Sequence, residues 1–122
     1  MSRIETINKS LADLQASSSD VEACAVVSAD GLIIASALPQ GLEEERIAAM
    51  SAALLSMGER ITAELQRGEL EQLYVKGRDG YFLSKHAGPH AVLIAMARKD
   101  AKLGLIFFDL NKAADEIKNS LV

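Results

Sequence analysis

Apolar residues at Ile4, Ile7, Leu11 and Leu14 fall on one side of a helix, with Glu5, Lys9 and Asp13 opposite. The spacing predicts an amphipathic first helix that ends in Ser17-Ser18-Ser19-Asp20. Two short apolar runs follow, Ala23 to Ser28 and Leu32 to Ser36, joined by Ala29-Asp30-Gly31, where Asp-Gly supplies the positive-φ positions of a tight hairpin. Pro39-Gln40-Gly41 breaks the chain. Glu43-Glu44-Glu45 then places three carboxylates where the positive end of a helix dipole favours them, and a long helix is expected from Glu43 to Arg67, stopped by Gly68. Three more strand-length runs come next: Leu70 to Lys76, Tyr81 to His86 and Ala91 to Ala97. Gly77-Arg78-Asp79-Gly80 and Gly88-Pro89-His90 separate them. Leu103, Ile106, Phe107, Leu110, Ala113, Ala114, Ile117 and Leu121 keep helical spacing to the end, which predicts a last helix with Asp100 near its cap.

The order is α-β-β-α-β-β-β-α, read as one α+β domain over residues 1–122 with no linker or repeat. The first and fifth strands are apolar on both faces and belong at the centre of a five-stranded antiparallel sheet. The third alternates Leu73 and Val75 with Glu71, Gln72 and Lys76, so it belongs at an edge. The expected strand order is 2-1-5-4-3, with two helices on one face and the long helix on the other.

The long helix departs from the usual surface pattern. Ile47, Met50, Leu54, Met57, Ile61 and Leu65 form one stripe, read as the face laid on the sheet. Opposite them, Ala48, Ala49, Ala52, Leu55 and Ser56 are uncharged where charge is expected, and the run from Ile47 to Gly58 carries none. A helix apolar nearly all round is covered on both sides, and a single sheet supplies one cover only. A second copy is therefore expected over Ala48, Ala52, Leu55 and Glu59, with Leu73 and Val75 of the edge strand joining the two sheets. The alternative is that the alanines only raise helix propensity. Leu105 and Phe108 project from the stripe of the last helix and are expected to pack beside the first helix.

Composition narrows the chemistry. With 13 basic and 17 acidic residues the net charge is −4, the wrong sign for neutralising phosphates, so nucleic acid is not the expected partner. Aromatic residues make up 4% of the chain while alanine occurs 19 times, so the core is built from small and aliphatic side chains. No uncharged run reaches the roughly 20 residues of a membrane span. One cysteine, Cys24, cannot close an intrachain disulfide, and Met1-Ser2-Arg3-Ile4-Glu5-Thr6 lacks the apolar core of a signal peptide; a cytoplasmic location is expected. No phosphate loop, His-Glu-x-x-His, cysteine pair or Gly-x-Ser-x-Gly occurs, so neither catalytic activity, metal nor cofactor is expected. His86 and His90 lack a third ligand and read as turn residues, and Cys24 reads as a buried small hydrophobe.

Several segments together resemble the roadblock, or dynein light chain seven, domain. They are Val26-Val27-Ser28-Ala29-Asp30-Gly31-Leu32 with Ala35-Ser36 and Leu38; Ala48-Ala49-Met50-Ser51-Ala52; Gly68-Glu69-Leu70; Val75-Lys76-Gly77 with Asp79-Gly80-Tyr81; and Leu103-Gly104-Leu105. The resemblance covers nearly the whole chain. It implies the αββαβββα, profilin-like fold and a homodimer in which long helices pack together and third strands join. It also implies a non-catalytic adaptor or regulator that binds a Ras-like small GTPase, with stimulation of GTP hydrolysis in some members. Carried onto this chain, the GTPase surface falls on Glu45, Arg46, Ala49, Ala53, Ser56 and Arg60. The chain ends at Val122, without the C-terminal extension of the gliding-motility member. Competing readings are a scaffold or assembly subunit with no effect on hydrolysis, and a small-ligand sensory domain.

Overall fold

A computed structural model describes residues 2–121. Helix α1 (Arg3–Ser17) begins where the Ser2 hydroxyl accepts the Glu5 N–H at 3.1 Å, which satisfies one of the free donors of the first turn. Strands β1 (Val21–Ser28) and β2 (Ile33–Ala37) form a hairpin, α2 (Glu44–Glu64) crosses the sheet, and β3 (Leu73–Gly77), β4 (Gly80–His86) and β5 (Ala91–Arg98) make a meander before α3 (Leu103–Ser120). The sheet is antiparallel throughout with order β2-β1-β5-β4-β3, so the two strands that are apolar on both faces occupy its centre as expected.

Two cores lie on either side of the sheet. The larger packs α1 and α3 on it through Ile7, Leu11, Leu14, Ile106, Phe107, Leu110 and Ile117 against Cys24, Val26, Leu83 and Leu93. The smaller holds α2 over Ala25, Val27, Val92 and Ile94 through Ala48 and Leu55.

Several local expectations are corrected. Helix α2 ends at Glu64, before Gly68. Gln66 takes the left-handed conformation at φ 56°, its N–H donates to the Ala63 carbonyl, and the Arg67 N–H donates to Thr62. This is a Schellman closure with glutamine where glycine is usual. Asp100 does not cap α3; Lys102 takes that position without a side-chain bond, and the Asp100 carboxylate lies 3.6 Å from Arg98 Nε. In the first hairpin only Gly31 has positive φ.

The main correction concerns which side of α2 faces the sheet. Of the stripe of large residues only half-buried Ile47 packs on the smaller core: Met50 is 58% exposed, Met57 52% and Leu65 62%. The small stripe covers it instead, with Ala48, Ser51 and Leu55 buried. The Gly31 turn comes up against the Ala48–Ala49 backbone, which holds the helix close to the sheet and leaves room for small residues beneath it. The Ser51 hydroxyl is satisfied within the helix, donating to the Ile47 carbonyl at 2.7 Å.

Candidate functional site

Because α2 rests on β1 and β2, the far half of the same sheet face is left open. A groove of about 680 Å³ runs there between the helix and the outer strands. Ile47, Met50 and Leu54 form its helix wall, and Val75, Phe82 and Met96 come from the sheet. Along α2 the apolar line continues past the groove through Met57, Ile61 and Leu65, all exposed, while the groove's sheet side reaches Val75 on the unpaired edge of β3, where Tyr74 is also exposed. Helix flank, groove and free edge form one continuous apolar surface, larger than scattered surface hydrophobics.

The residues expected at a two-fold contact separate in the structure. Ala48 and Leu55 lie against the chain's own sheet and are not available to a second copy. Ala52 is half-buried. Glu59 reaches across to β4, its carboxylate 3.3 Å from His86 Nε2. Leu73 is half-buried against the smaller core, whereas Val75 is exposed on the edge and lines the groove. The signal that marks the outer stripe is present in the sequence: methionine favours adaptable contact surfaces, and Met50 and Met57 are two of the chain's four.

The second flank of α2 differs in character. Glu45, Arg46, Ala49, Ala53, Ser56 and Arg60 are all exposed. At 3.6 residues per turn their mean direction lies about 120° around the axis from the methionine stripe. Its charged rim is internally paired: Arg46 lies 3.6 Å from Glu43 and Arg60 3.8 Å from Glu64. Such exposed pairs contribute less than about 1 kcal/mol each, so both guanidinium groups are free to change partner. The first turn is tied to the sheet where the Ser36 hydroxyl donates to the Glu44 carboxylate at 3.1 to 3.2 Å.

On the other sheet face, Tyr74, Tyr81 and Phe107 meet edge-on with ring centroids 6.1 and 6.2 Å apart, and Lys76 lies over the Tyr81 ring. No local pattern in the sequence marks this cluster, because its members come from three elements. Cys24 is buried, its thiol donating to the Leu11 carbonyl at 3.6 Å, and burial pushes its pKa up to about 11. A thiol so placed is a poor nucleophile. His90 is exposed in the turn before β5, and among the described residues no three His, Cys, Asp or Glu side chains gather as a metal site. Among the described residues no helix is long and apolar enough to cross a membrane.

A central antiparallel sheet with two helices on one face and one on the other, open beside the single helix, defines the profilin-like class of α+β domains. The chain belongs to the Roadblock/LC7 domain family, whose model matches residues 7–97. An uncharacterized protein of Methanocaldococcus jannaschii is 40% identical over 93 residues, covering 76% of this chain and 81% of that protein. Among solved structures, the gliding protein MglB from Thermus thermophilus superposes with a TM-score of 0.86 at 14% identity, covering 98% of this chain and 91% of that one. Acanthamoeba castellanii profilin IA superposes at 0.65 with 14% identity, covering 99% and 100%. At these identities the two structures share the fold.

Proposed function

We propose that this chain is a non-catalytic, cytoplasmic adaptor that works as a homodimer and regulates a Ras-like small GTPase. The observation that carries the dimer is the continuous apolar surface made by the outer stripe of α2, the groove and the β3 edge. Two copies related by a two-fold axis would each lay Met50, Met57, Ile61 and Leu65 over the other's groove and pair β3 with β3, removing both free edges. The proposed two-fold contact thus lies on a different flank of the helix from the expected Ala48 and Leu55.

Such a dimer leaves the second flank of α2 open. Glu45, Arg46, Ala49, Ala53, Ser56 and Arg60 then form, on each copy, a surface with a small-residue centre and a charged rim. Family resemblance and likeness to MglB support assigning this surface to the GTPase. The test is calorimetric titration of the source organism's Ras-like GTPases, in GDP and GTP-analogue forms, into the wild type and Ala53→Arg. Binding by the wild type that Ala53→Arg abolishes without changing the assembly's mass supports the assignment; equal binding by both refutes it. A rise in the partner's hydrolysis rate on mixing separates a regulator from a passive scaffold, and Arg46 and Arg60 are the first residues to replace.

The groove's volume also falls within the range of small-molecule sites, which favours a sensory domain as the second reading. Against it, Ile61 and Leu65 continue the exposed stripe beyond the groove, and covering them takes a polypeptide. Thermal shifts with a metabolite panel test the ligand reading directly.

A further inference from the structure

Leu105 and Phe108 on α3 are 62% and 69% exposed, in contrast to the expectation that both pack beside the first helix. Asp109 and Lys112, one turn further along, have opposite signs, so charge selects no partner for this patch. At one free edge of the sheet it does. Strands β2 and β3 are the two edges. Strand β3 carries Lys76, a charge of the kind that keeps edges from pairing, whereas β2 reads Ile33-Ile34-Ala35-Ser36-Ala37, with no charge and no proline. One irregularity, at Ile34, interrupts its pairing with β1; from Ala35 to Ala37 the register is regular. The Ser28 N–H donates to the Leu32 carbonyl at 2.8 Å, so the residues of β1 that bond to β2 are Ser28, Val26 and Cys24. Beyond the irregularity, Val26 and Cys24 face Ala35 and Ala37. Ser36, between these two, therefore turns its N–H and C=O outward, and among the described residues no other element bonds to them. The Ser36 side chain lies on the α2 face, where its hydroxyl donates to Glu44. A cleft of about 570 Å³ opens there beside Ile33, lined otherwise by Glu43, Glu44, Glu45 and Arg46. Three carboxylates face one guanidinium, and the positive end of the α2 dipole offsets only about half a charge more, so the cleft is acidic.

We propose that β2 accepts an extended, basic segment of a partner protein as an added strand, with lysine or arginine at alternate positions lying in the acidic cleft. Residues opposite each other on neighbouring strands share a face of the sheet, so the partner residue across from Ser36 comes to lie on the α2 face beside Glu44. Its neighbours two positions away stay on that face, which sets the alternation. Main-chain bonds to Ser36 attach the segment, the carboxylates select its charge, and Ile33 offers an apolar wall to the stem of a lysine. A second copy does not fit this edge. Pairing β2 with β2 antiparallel across a two-fold axis would bring the acidic first turns of both α2 helices together on one face of the joined sheet, like charge against like. The site lies at the opposite edge from β3. It goes beyond the GTPase-regulator reading and needs neither the proposed dimer nor the GTPase.

Calorimetric titration with a capped peptide of alternating lysine and valine, about eight residues long, tests it on the full chain. Two further peptides serve as controls: the same residues in block order, and glutamate in place of lysine. The alternating peptide should bind, the block peptide should bind at least about tenfold more weakly, and the glutamate peptide should not bind. Ser36→Ala and Ser36→Pro both lose the hydroxyl, but only proline loses the outward N–H, so Ser36→Pro should bind at least about tenfold more weakly than Ser36→Ala. Circular dichroism checks that both variants fold. Independently of any change at Ser36, amide exchange of the wild type should slow at Ser36 when the alternating peptide is added, and Glu43→Lys combined with Glu44→Lys should weaken binding. Equal binding of the alternating and block peptides overturns the proposal, as do unchanged exchange at Ser36 and absence of binding. A chain that instead self-associates through β2, with a mass that falls on Ser36→Pro, assigns the edge to a second copy and overturns it as well.

Discussion

A Cβ placed on Gly31, at the tip of the first hairpin, would lie 3.2 Å from the Ala49 Cα on α2, and Gly31 holds φ at +90°. The hairpin and the helix therefore meet backbone to backbone, and this approach sets the height of α2 above the sheet. Gly31→Ala should cost about 1–3 kcal/mol, from the left-handed strain together with the clash. Urea denaturation of the two proteins checks it, and a variant of unchanged midpoint would show that the hairpin does not position the helix.

The two sides of α2 should separate in mutagenesis. Leu55 is buried on the sheet, so Leu55→Ala should lower folding stability by about 2–4 kcal/mol. Met57 is exposed, so Met57→Glu should leave the stability of the monomer within about 0.5 kcal/mol while reducing the mass in light scattering to that of a single chain. Association that survives Met57→Glu but fails on a change confined to Ala52 would return the contact to the small-residue side.

Gly80 opens β4 against the end of β5, and a Cβ there would stand 2.7 Å from the Ala97 carbonyl oxygen. Backbone cannot yield as a flexible side chain does, so Gly80→Ala should push the strands apart at a cost of about 1–3 kcal/mol. Faster amide exchange at Ala97 and Arg98 is the expected sign.

Cys24 makes the fold sensitive to alkali. The folded thiol keeps its proton until about pH 11 because burial disfavours the thiolate, whereas the unfolded thiol ionises near its ordinary value of 9.0. Between those values unfolding releases a proton, so stability falls as pH rises through the window, by about 2–3 kcal/mol in all. Cys24→Ala should remove that part of the slope. Below pH 9 the native thiol should react with a disulfide reagent only as fast as the fold opens, and prompt labelling at about pH 8 would contradict its burial.

The hairpin at Asp30-Gly31, the meander and the central places of β1 and β5 all followed from local pattern, because a strand covered on both faces must be apolar on both. Helix ends were less legible: Gln66 takes the left-handed turn that Gly68 was expected to supply, since hydrogen bonds to Thr62 and Ala63 compensate its strain. The Tyr74, Tyr81 and Phe107 cluster was not legible, because rings on three elements meet only after the sheet has formed.

Sequence alone determined that α2 has two apolar faces, and hence more apolar surface than one sheet can cover. It could not determine which face goes inward, because helical periodicity gives the relative angle of two stripes and not the clearance beneath them. That clearance comes from the tertiary structure, where the Gly31 turn lies against Ala49 and the centre of the sheet offers Ala25, Val27 and Ile94. Where the hairpin approaches, Ala48 and Ser51 fit beneath the helix, Leu55 reaches the sheet further along, and Met50, Met57, Ile61 and Leu65 of the stripe expected to be the core are left exposed.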